Sequence, residues 1–320
     1  MDHQREDRHK AFLQAFLARG TMTFEEAQPV IAAIMTAANG GETEVRSDQV
    51  SESDFFRYID KASEIASLFD YEIRNILHQV SGKRIYAFVN TASDPQTQLA
   101  TTYSPDELSF IKRLLDAIFD KYNSPRMEVL AVTEMQAFKL ARPDRRQSVQ
   151  ADEEDQSQAT DRGLKHSEVE NVLANLIDGG WLEKSRAGFY TITPRALLEL
   201  RPWLTETYND PDAGPNEWQR IKFCEACKDI VTIGLRCSER DCVLRLHDNC
   251  QDAFWRTVRG ENCPKCSRQW TGQNYVGERA ITKTEAYERA HKRGGPRKSN
   301  VVDEILRQEA SDDEGDEQDE

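Results

Sequence analysis

The first 223 residues of this 320-residue chain contain no cysteine, and all seven cysteines fall between Cys224 and Cys266. A disulfide framework spread along the chain is excluded, and in a reducing compartment so dense a cluster usually holds metal. Long apolar runs are missing as well. Nothing approaches the ~20 residues that cross a bilayer, and the first ten residues, MDHQREDRHK, lack the apolar centre of a secretory signal. An intracellular protein without membrane contact is therefore expected. Positive charge is also short, with 42 Lys and Arg against 56 Asp and Glu and a net charge of −14. Phosphate affinity comes mainly from Lys and Arg, so a chain that coats nucleic acid by itself is disfavoured.

What is present suits two or three ordinary domains: 38% of residues are hydrophobic and 31% charged, enough for packed cores with some unfolded, highly charged stretches between them. The cysteines form the series C-x2-C-x9-C-x4-C-x4-H-x2-C-x12-C-x2-C, carried by Cys224, Cys227, Cys237, Cys242, His247, Cys250, Cys263 and Cys266. Eight ligands make two closed tetrahedral sites, so two structural Zn2+ are expected and no open position is left for a catalytic water. His3, His9, His78, His166 and His291 have no ligand series around them. Spacing alone leaves the pairing open. A sequential arrangement puts Cys237, Cys242, His247 and Cys250 on one ion, whereas an interleaved one joins Cys224 and Cys227 to His247 and Cys250, and Cys237 and Cys242 to Cys263 and Cys266. Thiolate-rich sites are anionic, and Lys222, Lys228, Arg236, Arg240 and Arg245 are placed in sequence to compensate them.

The order of ligands resembles RING and PHD fingers, which implies the interleaved cross-brace. Four cysteines, one histidine and three cysteines is the order usual in PHD fingers, readers of histone tails. Those fingers normally carry Trp two residues before the seventh ligand, where this chain has Glu261. RING domains often end in C-P-x-C, matched by Cys263-Pro264-Lys265-Cys266. The RING resemblance implies a groove for a ubiquitin-conjugating enzyme near Phe254 and Trp255, with core packing an equal reading for Trp255. It further implies contacts from Ala226, Pro264 and Arg268, although Ala226 is smaller than the usual aliphatic contact and Arg268 is offset from the usual bridging cation. Activity that is weak alone and raised by a partner is expected. With every thiol on metal, no residue is a catalytic nucleophile, and such a domain acts only by orienting the charged conjugating enzyme.

Ahead of the cysteines, Phe12, Leu13, Phe16 and Leu17 mark a helix ending near Gly20, and Thr23 with Glu26 caps a second that Pro29 should kink or restart. Phe55, Ile59, Ala62 and Ala66 mark a third, and Tyr71 to Val80 with Ile85 to Val89 read as a hairpin around Ser81-Gly82-Lys83-Arg84. Three helices and a hairpin suggest a winged helix. A second set follows: a helix from Ser104-Pro105-Asp106-Glu107, another capped by Ser167 and Glu170, a stop at Gly179-Gly180, a hairpin around Ser185 to Gly188 and a helix from Thr193 to about Glu206. Glu168, Glu170 and Asp178 on its candidate recognition helix would repel phosphate, so this module is expected to dock protein. The polar stretch 142–162, including Arg142, Arg145 and Arg146, reads as a disordered, solvated insertion.

Two such modules ahead of this ligand series resemble the non-SMC element one family, subunits of the five/six-type structural-maintenance-of-chromosomes complex. The resemblance covers about residues 8 to 275 and rests on the ligand set, on Thr23-Phe24-Glu25-Glu26-Ala27 and on Asp178-Gly179-Gly180-Trp181-Leu182. It implies a nuclear ubiquitin-ligase subunit in DNA repair, recombination and chromosome maintenance, with a MAGE-type partner on its winged helices, a kleisin subunit beside it, and DNA contact through the complex. A PHD-like histone reader and a purely structural zinc scaffold are the alternatives. The expected architecture is α+β: winged helices over 8–100 and 101–206, a RING-like zinc domain over 218–275, and a disordered charged tail over 277–320.

Overall fold

The computed structural model describes residues 2–91, 102–143, 161–214, 217–292 and 301–316. Helices and small antiparallel sheets alternate in two compact units, Met1–Gln98 with Pro194–Arg201, and Leu99–Thr193 with Pro202–Glu320.

In the first unit, α1 (Asp2–Arg19), β1 (Thr21–Thr23), α2 (Phe24–Ala38), α3 (Glu52–Ala66), β2 (Tyr71–Leu77) and β3 (Arg84–Asn90) follow in order, and the sheet runs β1-β3-β2. The expected apolar faces meet: Phe12, Phe16, Met22, Ile31, Phe55, Ala62 and Phe88 share one buried core. Thr23 and Glu26 form the expected capping box, with Glu26 accepting from the Thr23 backbone N–H at 2.8 Å. Pro29 does not restart α2 as a second element; one helix runs across it, with Ala27, Ile31 and Ala32 buried. The hairpin's first strand ends at Leu77, short of Val80, because His78 Nδ1 accepts the backbone N–H groups of Val80 and Ser81 and turns the chain early.

In the second unit, α4 (Pro105–Asp116) runs into a π turn (Ala117–Lys121), followed by β4 (Val132–Thr133), α5 (Glu134–Lys139), α6 (His166–Asp178), β5 (Leu182–Lys184) and β6 (Phe189–Ile192), with sheet order β4-β6-β5. Helix α6 starts earlier than expected: Lys165 is its N-cap and Glu168 takes the cap N–H at 2.7 Å, which leaves Ser167 inside the first turn and Glu170 beside His166. Its end is as read. Gly180 adopts φ +70°, and the N–H groups of Gly180 and Trp181 return to Ile177 and Leu176, a Schellman closure. Helix α7 (Pro194–Tyr208) continues through Pro202, with Pro194–Arg201 counted in the first unit and the rest in the second. Arg145 and Arg146 of the expected insertion lie outside the described residues.

The cysteine-rich segment adds β7 (Gly234–Arg236), β8 (Arg245–Leu246), α8 (Asp248–Val258) and β9 (Tyr275–Val276), in sheet order β8-β7-β9. It lies within the second unit. The stretch beyond Gly277 is a correction. Expected as unfolded chain, its described residues form α9 (Arg279–Thr282), α10 (Glu285–Lys292) and α11 (Val301–Asp316). Ile281, Tyr287, Val302 and Ile305 bury themselves with Met127, Val129, Ala131 and Phe189, and Asp303 binds Gln136 at 2.9 Å and pairs with Lys139. Apolar burial offsets the ordering entropy that the acidic composition alone could not.

Candidate metal centre

Two short turns of the same design open and close the metal segment. At the first, Phe223 bridges to Ile230, the Cys224 N–H donates to Asp229 O at 2.8 Å and the Lys228 N–H returns to Cys224 O at 2.8 Å. At the second, Asn262 bridges to Gln269, Cys263 N–H donates to Arg268 O at 2.7 Å and Ser267 N–H returns to Cys263 O at 2.8 Å. Each needs a left-handed residue just after its second cysteine, Lys228 at φ +63° and Ser267 at φ +61°. The turn points both sulfurs of a C-x2-C pair to one side, which is the geometry that grips a single ion. Glu225 lies 3.1 Å from Lys228 and 3.7 Å from Lys265, so the two turns sit side by side.

The eight ligands fall into two groups, Cys224, Cys227, His247 and Cys250, and Cys237, Cys242, Cys263 and Cys266, with the ligand atoms of each group within 4.8 Å of one another. The pairing is interleaved, and the donor sets fit two Zn2+. Cys237 and Cys266 sulfurs are 3.5 Å apart, as are those of Cys242 and Cys263, too far for a disulfide and close to the ~3.8 Å edge of a tetrahedron with 2.3 Å zinc–sulfur bonds. His247 is aimed by its second nitrogen: Nε2 donates to Ile230 O at 3.2 Å, which leaves Nδ1 unprotonated and 3.3 Å from Cys227 Sγ. Burial pushes the Cys242 thiol up and the Cys250 thiol to about 11. Metal must therefore displace protons from them, and zinc affinity should fall as pH falls.

Under the zinc segment lies a charge cluster that sequence reading missed. Glu128, only 2% exposed, receives Arg245 Nε at 2.8 Å on one oxygen and Arg245 Nη2 on the other, with Lys222 at 3.1 Å and Arg236 at 3.6 Å. Arg245 is fully buried, and its Nη1 donates to the carbonyls of Cys242 and Leu244 at 2.6 and 2.8 Å. Lys222, Arg236 and Arg245 were expected to balance the zinc sites; they converge on this carboxylate instead, while Lys228 pairs with Glu225. Burial alone would raise the Glu128 carboxyl, but Arg245, then Lys222 and Arg236, hold it at about 2. Burial drags Lys222 down to about 7 against the pull of Glu128.

The residues expected to touch a conjugating enzyme are placed as follows. Ala226 and Pro264 are exposed at the tips of the two turns. Trp255 on α8 is half-buried, 5.0 Å from the Phe254 ring and 5.3 Å from that of Trp270, and packs with them on Cys237, Cys242, Leu244 and Cys263. It is thus both core anchor and part of the surface. Arg268 is exposed with Nε 2.8 Å from Glu239. Trp270 was not singled out in sequence, though its position four residues past the last ligand places it on the second turn.

Residues 9–200 match the family model described as the Nse1 non-SMC component of the SMC5-6 complex, and residues 224–266 match a RING-like domain. The chain is 27% identical over 211 residues to non-structural maintenance of chromosomes element 1 of Schizosaccharomyces pombe, covering 65% of this chain and 74% of that protein. It is 24% identical over 213 residues to the Homo sapiens homolog (67% and 68%), and 24% identical over 273 residues to that of Xenopus tropicalis (84% and 85%). A solved chain titled Nse1-Nse3-Nse4 complex superposes with a TM-score of 0.61 at 20% identity, covering 82% of this chain and 96% of that one. At that identity the likeness speaks to fold.

Proposed function

This chain belongs to the family of the Nse1 non-SMC component of the SMC5-6 complex, and from that premise we propose that it is a RING-type ubiquitin-ligase subunit of such a complex. It works in the nucleus in DNA repair, recombination and chromosome maintenance. The observation that carries the reading is the pair of C-x2-C turns held side by side through Glu225, with Ala226 and Pro264 exposed at their tips and Trp255 on the helix that follows His247. A RING surface of this kind binds a conjugating enzyme without covalent chemistry, and its contribution is orientation of the thioester. The side chains offered are Ala226, Trp255, Pro264 and Arg268; because Arg268 is paired with Glu239 and Ala226 is small, the activity is weak until a partner adds to it.

The partners are an Nse3 subunit, of MAGE type, and an Nse4 subunit, the kleisin, by analogy with the complex named for the solved relative. The helix-and-hairpin modules, read as winged helices, supply the docking face. Leu17, Phe56, Leu68, Phe69, Tyr71 and Val80, all in the first unit, are exposed, Leu68 by 79% and Phe69 by 69%. Leu68, Phe69 and Tyr71 are close neighbours in the chain, and contiguous exposed apolar surface, unlike single exposed side chains, marks a partner site. Leu68→Asp with Phe69→Asp is expected to weaken capture of the Nse3 partner about thirtyfold, the ~2 kcal/mol of one interface anchor, while zinc content stays unchanged. Titration of the partner against labelled chain measures it, and unchanged affinity would move the docking face elsewhere. For the activity, ubiquitin chain formation is followed with a panel of conjugating enzymes, with and without the partner. Silence in both conditions leaves the zinc segment a scaffold, and saturable binding of a histone-tail peptide makes it a reader.

A further inference from the structure

Helix α8 begins directly at a metal ligand. His247 is its N-cap and Cys250 lies in its first turn, and both belong to one ligand group, so zinc there holds the start of the helix at two points. Two points leave one rotation free. A third comes from outside the ligand series: Arg279, the first residue of α9, sends Nη2 to the Asp248 carboxylate, 2.9 Å from Oδ1 and 2.8 Å from Oδ2, and to the carbonyl of Gly234 on β7 at 3.1 Å. Its guanidinium carbon stands 5.0 Å from the centre of the Tyr275 ring on β9. One side chain thus ties α8 to the sheet.

Arg279 is itself held from both sides. Before it, β9 pairs with β7 through Val276 and Gly234, and Gly277 turns at φ +90°, where a Cβ would stand 2.6 Å from Thr232 O. Beyond it, Ile281 is fully buried in the core shared with Met127 and Phe189. The ion pair is also sheltered, with the Arg279 and Asp248 side chains 26% and 32% exposed, so water screens it less than a surface pair. Its leverage comes from the helix. Trp255 lies seven residues beyond Asp248 on the same face of α8, and over those roughly 10 Å a tilt of about 6° carries its ring about 1 Å. Misplacement of that size costs an orientation-dependent step up to about 100-fold. We infer that Arg279 is a positioning residue, whose hold on Asp248 sets the heading of α8 and so presents Trp255 to the conjugating enzyme. This role rests on the ubiquitin-ligase reading and falls outside the RING-like segment 224–266. It gives the stretch beyond Gly277 a part in the docking face.

The test follows ubiquitin transfer by the full chain with its Nse3 partner while the charged conjugating enzyme that scores in the panel is titrated. Arg279→Met is expected to raise the half-saturating concentration about tenfold and to leave the plateau within about twofold, the loss of part of one anchor's contact. Native mass spectrometry should still find an ion for each of the two ligand groups. Arg279→Lys should recover most of the loss, because a single nitrogen, Nη2, makes both contacts and an ammonium can stand in its place. Asp248→Asn should reproduce the shift, and Arg279→Met with Asp248→Asn should lose no more than either alone, since both act through one contact. A segment that is merely destabilised behaves otherwise: its plateau falls with the share of folded chain and its half-saturation stays put. That pattern, or an unmoved half-saturation in Arg279→Met, overturns the positioning role; if Arg279→Met sheds zinc, Asp248→Asn decides by the same criterion. A parent chain silent with every conjugating enzyme removes the ligase reading and the positioning role with it.

Discussion

Stripping zinc with a chelator, or replacing Cys242 with Ser, is expected to unfold residues 218–275 and to leave the first unit's thermal transition in place. The reason is the size of the core that zinc replaces. Only a few aliphatic side chains are buried there, Leu244 and Leu246 completely and Ile230, Val231 and Leu235 nearly so, and Phe254, Trp255 and Trp270 lie partly buried against the cysteine sulfurs themselves. Apolar surface on that scale does not fold a segment of this length, whereas structural zinc supplies roughly 10–16 kcal/mol of apparent binding energy at neutral pH. Interleaving makes the loss collective: Cys237 and Cys242 lie between the two ligand pairs of the other site, so freeing them loosens both. Native mass spectrometry should find two ions in the parent chain and none in Cys242→Ser, and calorimetry should keep one of two transitions. A variant that holds one ion with an unchanged near-ultraviolet aromatic signal would show the sites to be independent.

The second large effect belongs to Glu128. Glu128→Gln leaves Arg245, Lys222 and Arg236 buried with no anion among them, and orphaned buried charges of this kind cost about 3–5 kcal/mol. Denaturant unfolding of the second unit at neutral pH measures it. Glu128→Met with Arg245→Met should recover part of the loss, since removing both members of a buried pair costs less than removing one. The sign of the pH dependence follows from the carboxyl's descent from 4.5 to about 2: its stabilisation is fully present above pH 4.5 and fades as pH falls toward 2. An unaltered midpoint in Glu128→Gln would mean that water reaches the cluster and screens it.

The ligand set was legible because metal chemistry writes itself in residue type and spacing, and the helices because their apolar faces repeat every three to four residues. Spacing alone left the pairing open; the resemblance to RING and PHD fingers implied the interleaved one, and the two ligand groups are interleaved. Capping boxes read correctly at Thr23 and Ser104, where a hydroxyl precedes Glu by three; at α6 the cap went to Lys165, because burial of Val169, Val172, Leu173 and Leu176 set the helix phase, not the nearest Ser. Glu128 was invisible for a different reason. It lies 117 residues from Arg245, and whether a charge ends up in water or under another domain depends on contacts that local pattern does not carry. Its one signal was its place in the apolar run Met127-Glu128-Val129-Leu130-Ala131-Val132. Helix α11 was overlooked because the acidic residues at its end outweighed Val301, Val302, Ile305 and Leu306 at its start.

The three cations closed on Glu128 act as a rivet between metal segment and second module, reinforced where Gly277 N–H donates to Glu128 O at 2.8 Å. A zinc finger hung on a tether samples many headings; one riveted this way has a single heading, inherited from the module beneath. Whatever lands on the paired turns is then aimed by the body of the protein, and its reach becomes a narrow arc instead of a cloud. Loosening the rivet would broaden that arc before it cost either ion.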